Sequence, residues 1–110
     1  MTLWQRIAEF NDRFFGDWRK ADPVWWSNCL GGETGEVLNA VKHFFGGGTS
    51  KHTTTVEDIG AECVDVVAYL VTLCESLGIS ERAFNDMIER KLDENARKLS
   101  IGVEREPIED

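Results

Sequence analysis

The sequence is poor in the residues that form disulfide bridges and zinc sites. Its three cysteines, Cys29, Cys63 and Cys74, are an odd number with no CxxC pair, and two of them lie in an apolar segment. We therefore interpret them as small buried hydrophobic residues. The only histidines are His43 and His52, so a zinc site has few ligands available.

Positive charge and long apolar runs are also scarce. The chain has 12 Lys and Arg residues against 20 Asp and Glu, and its net charge of −8 has the wrong sign for binding the backbone of a nucleic acid polymer. No uncharged apolar run approaches the roughly 20 residues that span a bilayer. Residues 1–10 have mixed charges and do not resemble a signal peptide. These features predict no membrane partner and a cytoplasmic location.

The composition is that of one small folded domain. Hydrophobic residues make up 42% of the 110 residues, which excludes a disordered chain. A domain of this size buries only part of its surface as a monomer. The first and third predicted helices are also more apolar than one small bundle requires. We expect an all-α domain over residues 1–99, completed by association into a homodimer or homotetramer. Residues 100–110 are acidic and lack periodicity, which predicts a flexible tail.

Capping signals predict where the first two of four helices begin. Thr2 and Gln5 form a capping box for a helix over about residues 3–15, and its apolar stripe is expected to face the core. Asp22 and Pro23 then provide the cap and the first residue of the second helix.

Three glycines, Gly31, Gly32 and Gly35, fall inside this second helix. Each costs about 1 kcal/mol relative to alanine, so some other group is expected to approach the backbone closely there. The alternative is a break in the helix around Gly31 and Gly32.

The last two helices follow a glycine-rich connection. Residues 46–55 contain Gly, Ser, Thr and Lys without the order of a phosphate-binding P-loop, so a plain connector is favoured over a catalytic lid. Thr55 caps the third helix, which ends at Gly78, and Ser80 opens the fourth. This short connection predicts that the third and fourth helices are antiparallel neighbours.

Two pairs of acidic residues occur on the central helices. Glu62 and Asp65 are three residues apart and share a helix face. The segment 63–74 is apolar on nearly every side, so we expect Asp65 to be buried, where a carboxylate needs a hydrogen bond, a proton or a cation. Glu33 and Glu36 have the same spacing on the second helix.

These four carboxylates would converge if the two helices packed side by side. Two unit charges about 4 Å apart repel by roughly 4 kcal/mol at an effective dielectric constant of 20, so four acids require a counter-ion. Ligation by oxygen alone favours Mg²⁺ or Mn²⁺. The alternative interpretation is a solvated surface row of acids. On the fourth helix Lys91, Asn95 and Lys98 form a polar row suited to the phosphates of a ligand bound to such an ion.

Two motifs and a closing stretch resemble a known enzyme family. They are Glu33-Thr-Gly-Glu36, Glu62-Cys-Val-Asp65 and residues 91–98. In this order they resemble the ExxE, ExxD and closing motifs of the MazG-like, all-α nucleoside triphosphate pyrophosphohydrolases, over about residues 25–98. The resemblance implies a four-helix MazG-like bundle. It also implies Mg²⁺-dependent cleavage of a nucleoside triphosphate to the monophosphate and pyrophosphate, with a role in cleansing the nucleotide pool.

The same resemblance implies the roles of particular residues. The catalytic metal ligands are Glu33, Glu36, Glu62 and Asp65, and the phosphate contacts are Lys91 and Asn95. Lys98 is either a third phosphate contact or a solvated cation. Many members carry EExxE, whereas this chain has Gly32 in the first position, as in the dCTP pyrophosphatase branch. The group that activates water is therefore unassigned.

The base of such a substrate would need a flat, apolar slot. The candidates near the acidic pairs are Trp18, Trp25, Trp26 and His43, and core packing is the alternative for each tryptophan. Stacking on aromatic rings tolerates any base. His43 follows Glu36 by seven residues and so lies on the same helix face.

Two other functional classes are compatible with the sequence. A non-catalytic helical module that binds a nucleotide or another protein would keep the apolar pattern without needing the acids. A di-iron carboxylate bundle also places acids on facing helices, but it requires Glu-x-x-His. Neither histidine stands three residues after a glutamate, which disfavours iron.

Overall fold

The computed structural model describes residues 1–46 and 54–105, with side chains described as far as residue 100. These residues contain helices and no strand, which confirms the all-α prediction. The helices are α1 (Leu3–Phe14), a 3₁₀ helix (Trp18–Lys20), α2 (Pro23–Gly46), α3 (Val56–Ser76) and α4 (Glu81–Arg105). Most of the predicted connector over 46–55, including His52, lies outside the described residues.

The chain divides into two compact units, Met1–Gly78 and the part from Ile79 onward, where the sequence predicts one domain over 1–99. The last helix, α4, continues to Arg105 and so includes the first part of the predicted tail. The remainder of that tail lies outside the described residues. Among the residues described, no single helix is long and apolar enough to cross a membrane, and only α3 and α4 taken together meet that test, by length and composition.

The predicted caps are confirmed at two helix starts. At α1 the Gln5 amide donates to Thr2 Oγ1 at 3.1 Å, and the Thr2 amide donates to Gln5 Oε1 at 2.9 Å. Thr55 and Asp58 make the same reciprocal pair at α3, at 3.1 and 2.8 Å. Each pair satisfies an amide that the first helical turn leaves without a partner. The α3 helix ends before Gly78, whose φ of +78° suits a glycine.

The second helix, α2, is continuous through its glycines, so the alternative of a break around Gly31 and Gly32 is wrong. A Cβ built on Gly31, Gly32 or Gly35 would meet no atom of the described residues within 4 Å. The expected close approach to the backbone is therefore absent within the described part of this single chain. The glycines instead leave an open, side-chain-free surface on α2.

The core lies where α1 and the 3₁₀ helix pack on the C-terminal half of α3. Its buried side chains are Trp4, Asn11, Trp18, Trp26, Val71, Thr72 and Cys74. The N-terminal half of α3 is more open, because α1 contacts α3 through residues near its other end. Cys63 and Asp65 are accordingly exposed, which corrects the expectation that this helix is buried on all sides.

All three cysteines are free thiols, and Cys74 is the one that is buried.

The buried face of α1 is not the stripe that the sequence predicts. Leu3, Phe10 and Phe14 are 61%, 53% and 58% exposed, whereas Trp4 and Asn11 are buried. The Trp4 indole N–H donates to Glu75 Oε1 at 2.7 Å, and Asn11 Nδ2 donates to Thr72 Oγ1 at 2.8 Å. Polar partners on α3 thus select the less apolar face of α1, because buried donors must be satisfied.

Candidate metal centre

The second and third helices pack with opposite directions, and their register brings the acidic pairs together. Near the start of α2, the rings of Trp26 and Tyr69 lie 6.1 Å apart. Further along, Glu33 meets the turn of α3 that carries Asp65. Residue numbers therefore rise along α2 as they fall along α3. The ExxE and ExxD pairs occupy the same level of this antiparallel seam.

Three of the four predicted metal ligands form one cluster. Glu33, Glu62 and Asp65 each offer a carboxylate oxygen, and these oxygens all lie within 4.8 Å of one another. Glu33 and Glu62 are half-buried, whereas Asp65 is exposed, contrary to the prediction that it is buried. The cluster lies at the edge of the α2–α3 seam, within reach of solvent.

The surroundings of Glu33 raise the pKa of its carboxyl group. Partial burial raises the pKa of its carboxyl group, and the charges of Asp65, Glu62 and Glu36 raise it further, in that order. Glu36 is outside the group of three, yet it is close enough to act on Glu33 electrostatically. The other three carboxylates thus repel the charge on Glu33, and a cation bound among them would relieve that repulsion.

A groove of about 310 Å³ continues from the cluster between α2 and α3. It is lined by Glu36, Asn39, Ala40, His43, Thr54, Asp58, Ala61 and Glu62. Glu62 borders both the cluster and the groove, so the two are contiguous. A hydrogen bond from the Thr55 backbone, with one from its side chain, lowers the pKa of Asp58.

Sequence reasoning missed Asn39 and Asp58 in this groove. Helical spacing contains the signal that would have found them. Asn39 follows Glu36 by three residues and Asp58 precedes Glu62 by four, so each shares a face with a predicted metal ligand.

Only one of the four predicted base contacts lines the groove, and that is His43. Trp18 is 1% exposed and Trp26 6% exposed, and both belong to the core. The Trp18 indole N–H donates to Asp12 at 2.8 Å, and that of Trp26 donates to the Trp18 carbonyl at 3.1 Å. Their buried rings offer no face to a base, which corrects the prediction for these two. Trp25 is 61% exposed on α2.

Tyr69 lies close to the acidic cluster, and sequence reasoning did not single it out. It is half-buried on α3, one helical turn after Asp65. Burial raises the pKa of its phenol, and the nearby Cys29, Glu33 and Asp65 groups add to this effect. Its spacing of four from Asp65 is the signal that would have placed it beside the acids.

The predicted phosphate contacts lie on α4, where Glu94 forms ion pairs that the sequence analysis did not predict. Lys91, Asn95 and Lys98 are all exposed on this helix. Glu94 forms ion pairs within the helix, at 2.9 Å with Lys98 and at 3.8 Å with Lys91. Exposed pairs of this kind contribute little to stability, so both ammonium groups stay available to a stronger anion. Their contact with phosphate stays a prediction.

No family model, curated protein or solved structure matches this chain. The MazG-like resemblance therefore depends on the identity and spacing of the acidic pairs and of the closing motif.

Proposed function

We propose that this protein is a Mg²⁺-dependent nucleoside triphosphate pyrophosphohydrolase with a MazG-like four-helix bundle. It would cleave a nucleoside or deoxynucleoside triphosphate to the monophosphate and pyrophosphate. The main support is the approach of Glu33, Glu62 and Asp65, whose oxygens lie within 4.8 Å of one another. They come from the two motifs that the resemblance selects. Acids in a merely solvated row would reduce their repulsion by turning apart.

The chemistry of these donors fits Mg²⁺, with Mn²⁺ as the alternative. All are carboxylate oxygens, and both ions prefer such ligands. Glu33, Glu62 and Asp65 would hold the ion, and Glu36 would complete the set from the adjoining groove. When bound, Mg²⁺ would activate a water molecule and offset the charge that develops at the phosphorus. The exposed position of Asp65 leaves room for a phosphate oxygen among the ligands.

The groove beside the acids is suited to the nucleoside. Its volume of about 310 Å³ is at the lower end of the range for small-molecule sites. His43 offers a ring for stacking, and Asn39 offers both a donor and an acceptor to a base edge. Lys91, Asn95 and Lys98 would bind the phosphates, as the resemblance implies. Trp25 is retained as a stacking candidate because its ring is exposed.

The test is a panel of canonical and modified triphosphates incubated with Mg²⁺. We expect pyrophosphate and the matching monophosphate in equal amounts, and no product when a chelator removes the metal. The substrate that turns over best would also indicate whether damaged nucleotides are preferred, as a role in nucleotide-pool cleansing requires. Failure to cleave any triphosphate, together with a melting temperature that Mg²⁺ does not change, would instead indicate a non-catalytic binding module.

We also propose that the bundle is completed by a second copy of the chain. Leu38, Val41 and Phe45 recur at helical spacing on α2 and are 68%, 36% and 79% exposed. Gly31 lies on the same face, where its open surface would let another helix approach closely. A continuous apolar face of this kind is typical of an interface.

Light scattering at low micromolar concentration is expected to give a dimer or tetramer of the 12.4 kDa chain. Leu38→Glu should shift the protein towards the monomer, because it places a charge in the apolar face. The control is Asn28→Glu, at an exposed polar position on another face of the same helix. A parent protein that is monomeric and fully active would refute the proposed assembly.

A further inference from the structure

We propose that Asp12 is a positioning residue for the metal site, acting through two buried tryptophans on the helix face that carries Glu33. The inference rests on the proposed Mg²⁺-dependent function and names a residue that acts on the site from outside it. Asp12 lies on α1, and neither the acidic motifs nor the closing motif includes it. The connection consists of two successive hydrogen bonds, donated by the indole N–H groups of Trp18 and Trp26.

The first hydrogen bond joins the 3₁₀ helix to α1. The Trp18 indole N–H donates to Asp12 Oδ1 at 2.8 Å, and the Arg19 guanidinium donates to the same oxygen at 2.9 Å. These two contacts lower the pKa of the Asp12 carboxyl group, so it stays an ionised acceptor. Arg19 also lies over the Trp18 ring at 4.2 Å and reaches Glu75 on α3 at 3.5 Å. Trp18, which is 1% exposed, is thus held directly by α1 and through Arg19 by α3.

The second hydrogen bond joins the 3₁₀ helix to α2. The Trp26 indole N–H donates to the Trp18 carbonyl at 3.1 Å. An indole N–H can only donate, and a buried donor needs an acceptor, so the Trp18 carbonyl fixes the orientation of the Trp26 ring. The Phe15 and Tyr69 rings contact that ring at centroid distances of 6.0 and 6.1 Å. A displacement of Trp18 would therefore displace Trp26.

Trp26 sets how α2 is rotated against α3. Among the side chains of α2, all of which lie in the described range, Trp26 alone is buried, and the others are at most half-buried. Gly31 and Gly32 have no side chain that could fix the rotation closer to the acids. Glu33 follows Trp26 by seven residues, which is close to two turns, so both lie on the face directed at α3. The rotation that Trp26 fixes is the one that presents Glu33 to the other acids.

A small change in this rotation is enough to disturb a metal site. An atom at the outer radius of a helix, roughly 6 Å, moves by about 1 Å when the helix turns by about 10°. Metal-binding groups must be held within about 0.5 Å of their working geometry, and Mg²⁺ demands near-ideal octahedral coordination. Of the three clustered acids, Glu33 is the one that α2 supplies. Its placement therefore decides whether the three carboxylates can bind one ion.

The test is Asp12→Leu, which removes the acceptor of the Trp18 indole and leaves every metal ligand in the chain. We expect the Mg²⁺ dissociation constant, measured by calorimetry well below the melting temperature, to rise roughly tenfold, as is typical when a group that orients a ligand is lost. Asp12→Asn keeps an oxygen acceptor at the same position and should restore the parent affinity. Trp26→Phe removes the second hydrogen bond but keeps an aromatic ring, and it should weaken Mg²⁺ binding as Asp12→Leu does.

Two controls separate positioning from stability. Thr72→Val removes the acceptor of the buried hydrogen bond that Asn11 donates at 2.8 Å, so it loosens the packing of α1 on α3 without touching either tryptophan. It should lower the melting temperature and leave the Mg²⁺ affinity unchanged. Asp17→Leu makes the same substitution at a nearby exposed acid whose side chain forms no capping hydrogen bond. It should change neither quantity.

Three results would overturn the proposal. Parent Mg²⁺ affinity in Asp12→Leu or in Trp26→Phe would show that the hydrogen-bonded connection does not position Glu33. Equal weakening in Thr72→Val would assign the effect to a general loss of stability. Failure of Asp12→Asn to restore the affinity would assign it to the ion pair with Arg19. If Asp12→Leu does not fold, Trp26→Phe and Asp12→Asn decide the question by the same criteria.

Failure of the proposed function would be distinguishable from failure of the positioning. If the parent binds no Mg²⁺, the metal site is wrong, and backbone amide NMR shifts of α2, recorded without metal, decide the positioning separately. Shifts around Glu33 that Asp12→Leu changes, that Asp12→Asn restores and that Thr72→Val leaves at the parent values would support it. Parent shifts around Glu33 in Asp12→Leu would reject it.

Discussion

Replacing Glu62 by Gln, or Asp65 by Asn, is expected to abolish Mg²⁺-dependent pyrophosphate release while the fold survives. Each change exchanges a charged oxygen ligand for a weaker amide of nearly the same size, so the site loses its ion without losing packing. The three acids of the cluster lie within 4.8 Å of one another, and removing one charge also relieves the repulsion that acts on Glu33. The folded protein without metal should therefore melt at the same temperature as the parent or slightly above it.

Thermal melting with and without Mg²⁺, measured beside turnover, checks this expectation. The parent should be stabilised by Mg²⁺, because a ligand that binds only the folded state raises its apparent stability. Both variants should lose that stabilisation. Glu57→Gln is the matched control, since Glu57 is exposed in the first turn of the same helix and outside the cluster. Full activity of both cluster variants at ordinary Mg²⁺ concentration would exclude a metal site at these acids.

Lys91→Ala and Asn95→Ala are each expected to lower turnover per bound substrate by roughly one to three orders of magnitude, at about 1.4 kcal/mol per tenfold. The two residues share one face of α4, so both would reach a single triphosphate. A lysine supplies a point charge and an asparagine an oriented amide donor, so the two losses should differ in size.

The control for these variants is Arg90→Ala, which removes a cation from an exposed neighbouring position. Glu94→Gln provides a second comparison, because it frees Lys91 and Lys98 from their shared carboxylate while keeping both ammonium groups. Neither change should reduce turnover. Steady-state pyrophosphate release and thermal melting are measured for each variant. If Lys91 and Asn95 only pack on the surface of α4 and do not contact substrate, their variants will change the melting temperature and leave turnover at the parent value.

Features that depend on neighbouring residues could be predicted from the sequence. The caps at Thr2 and Thr55 were predictable because a capping side chain bonds to an amide three residues away. The shared face of Glu62 and Asp65 follows from the same local geometry. Predicting that Glu33 lies beside Glu62 and Asp65 required one further assumption, that α2 and α3 pack side by side. The structure shows this packing, with a register that brings the three acids together.

Features that depend on a distant partner could not be predicted. Periodicity shows that a helix has an apolar face, but the face of α1 that packs is the one with Trp4 and Asn11, whose partners are on α3. The composition around Asp65 is apolar, yet its exposure depends on how much of α3 the other helices cover. The spacing of Tyr69 from Asp65 indicates a shared helix face, but its packing on Trp26 depends on a partner 43 residues away and is visible only in the structure.

The acidic cluster is built entirely from one helical hairpin, α2 and α3, and this affects how the site forms during folding. Glu33 and Asp65 are 32 residues apart in the sequence, so the chain between them must close a loop before the cluster can form. The chain between the two helices also need not have one length, because each doubling of a loop adds only about 0.6 kcal/mol to the entropy of closure. A bound ion would offset part of that closure entropy, and it would do so without any contribution from α1, which supplies none of the cluster's ligands.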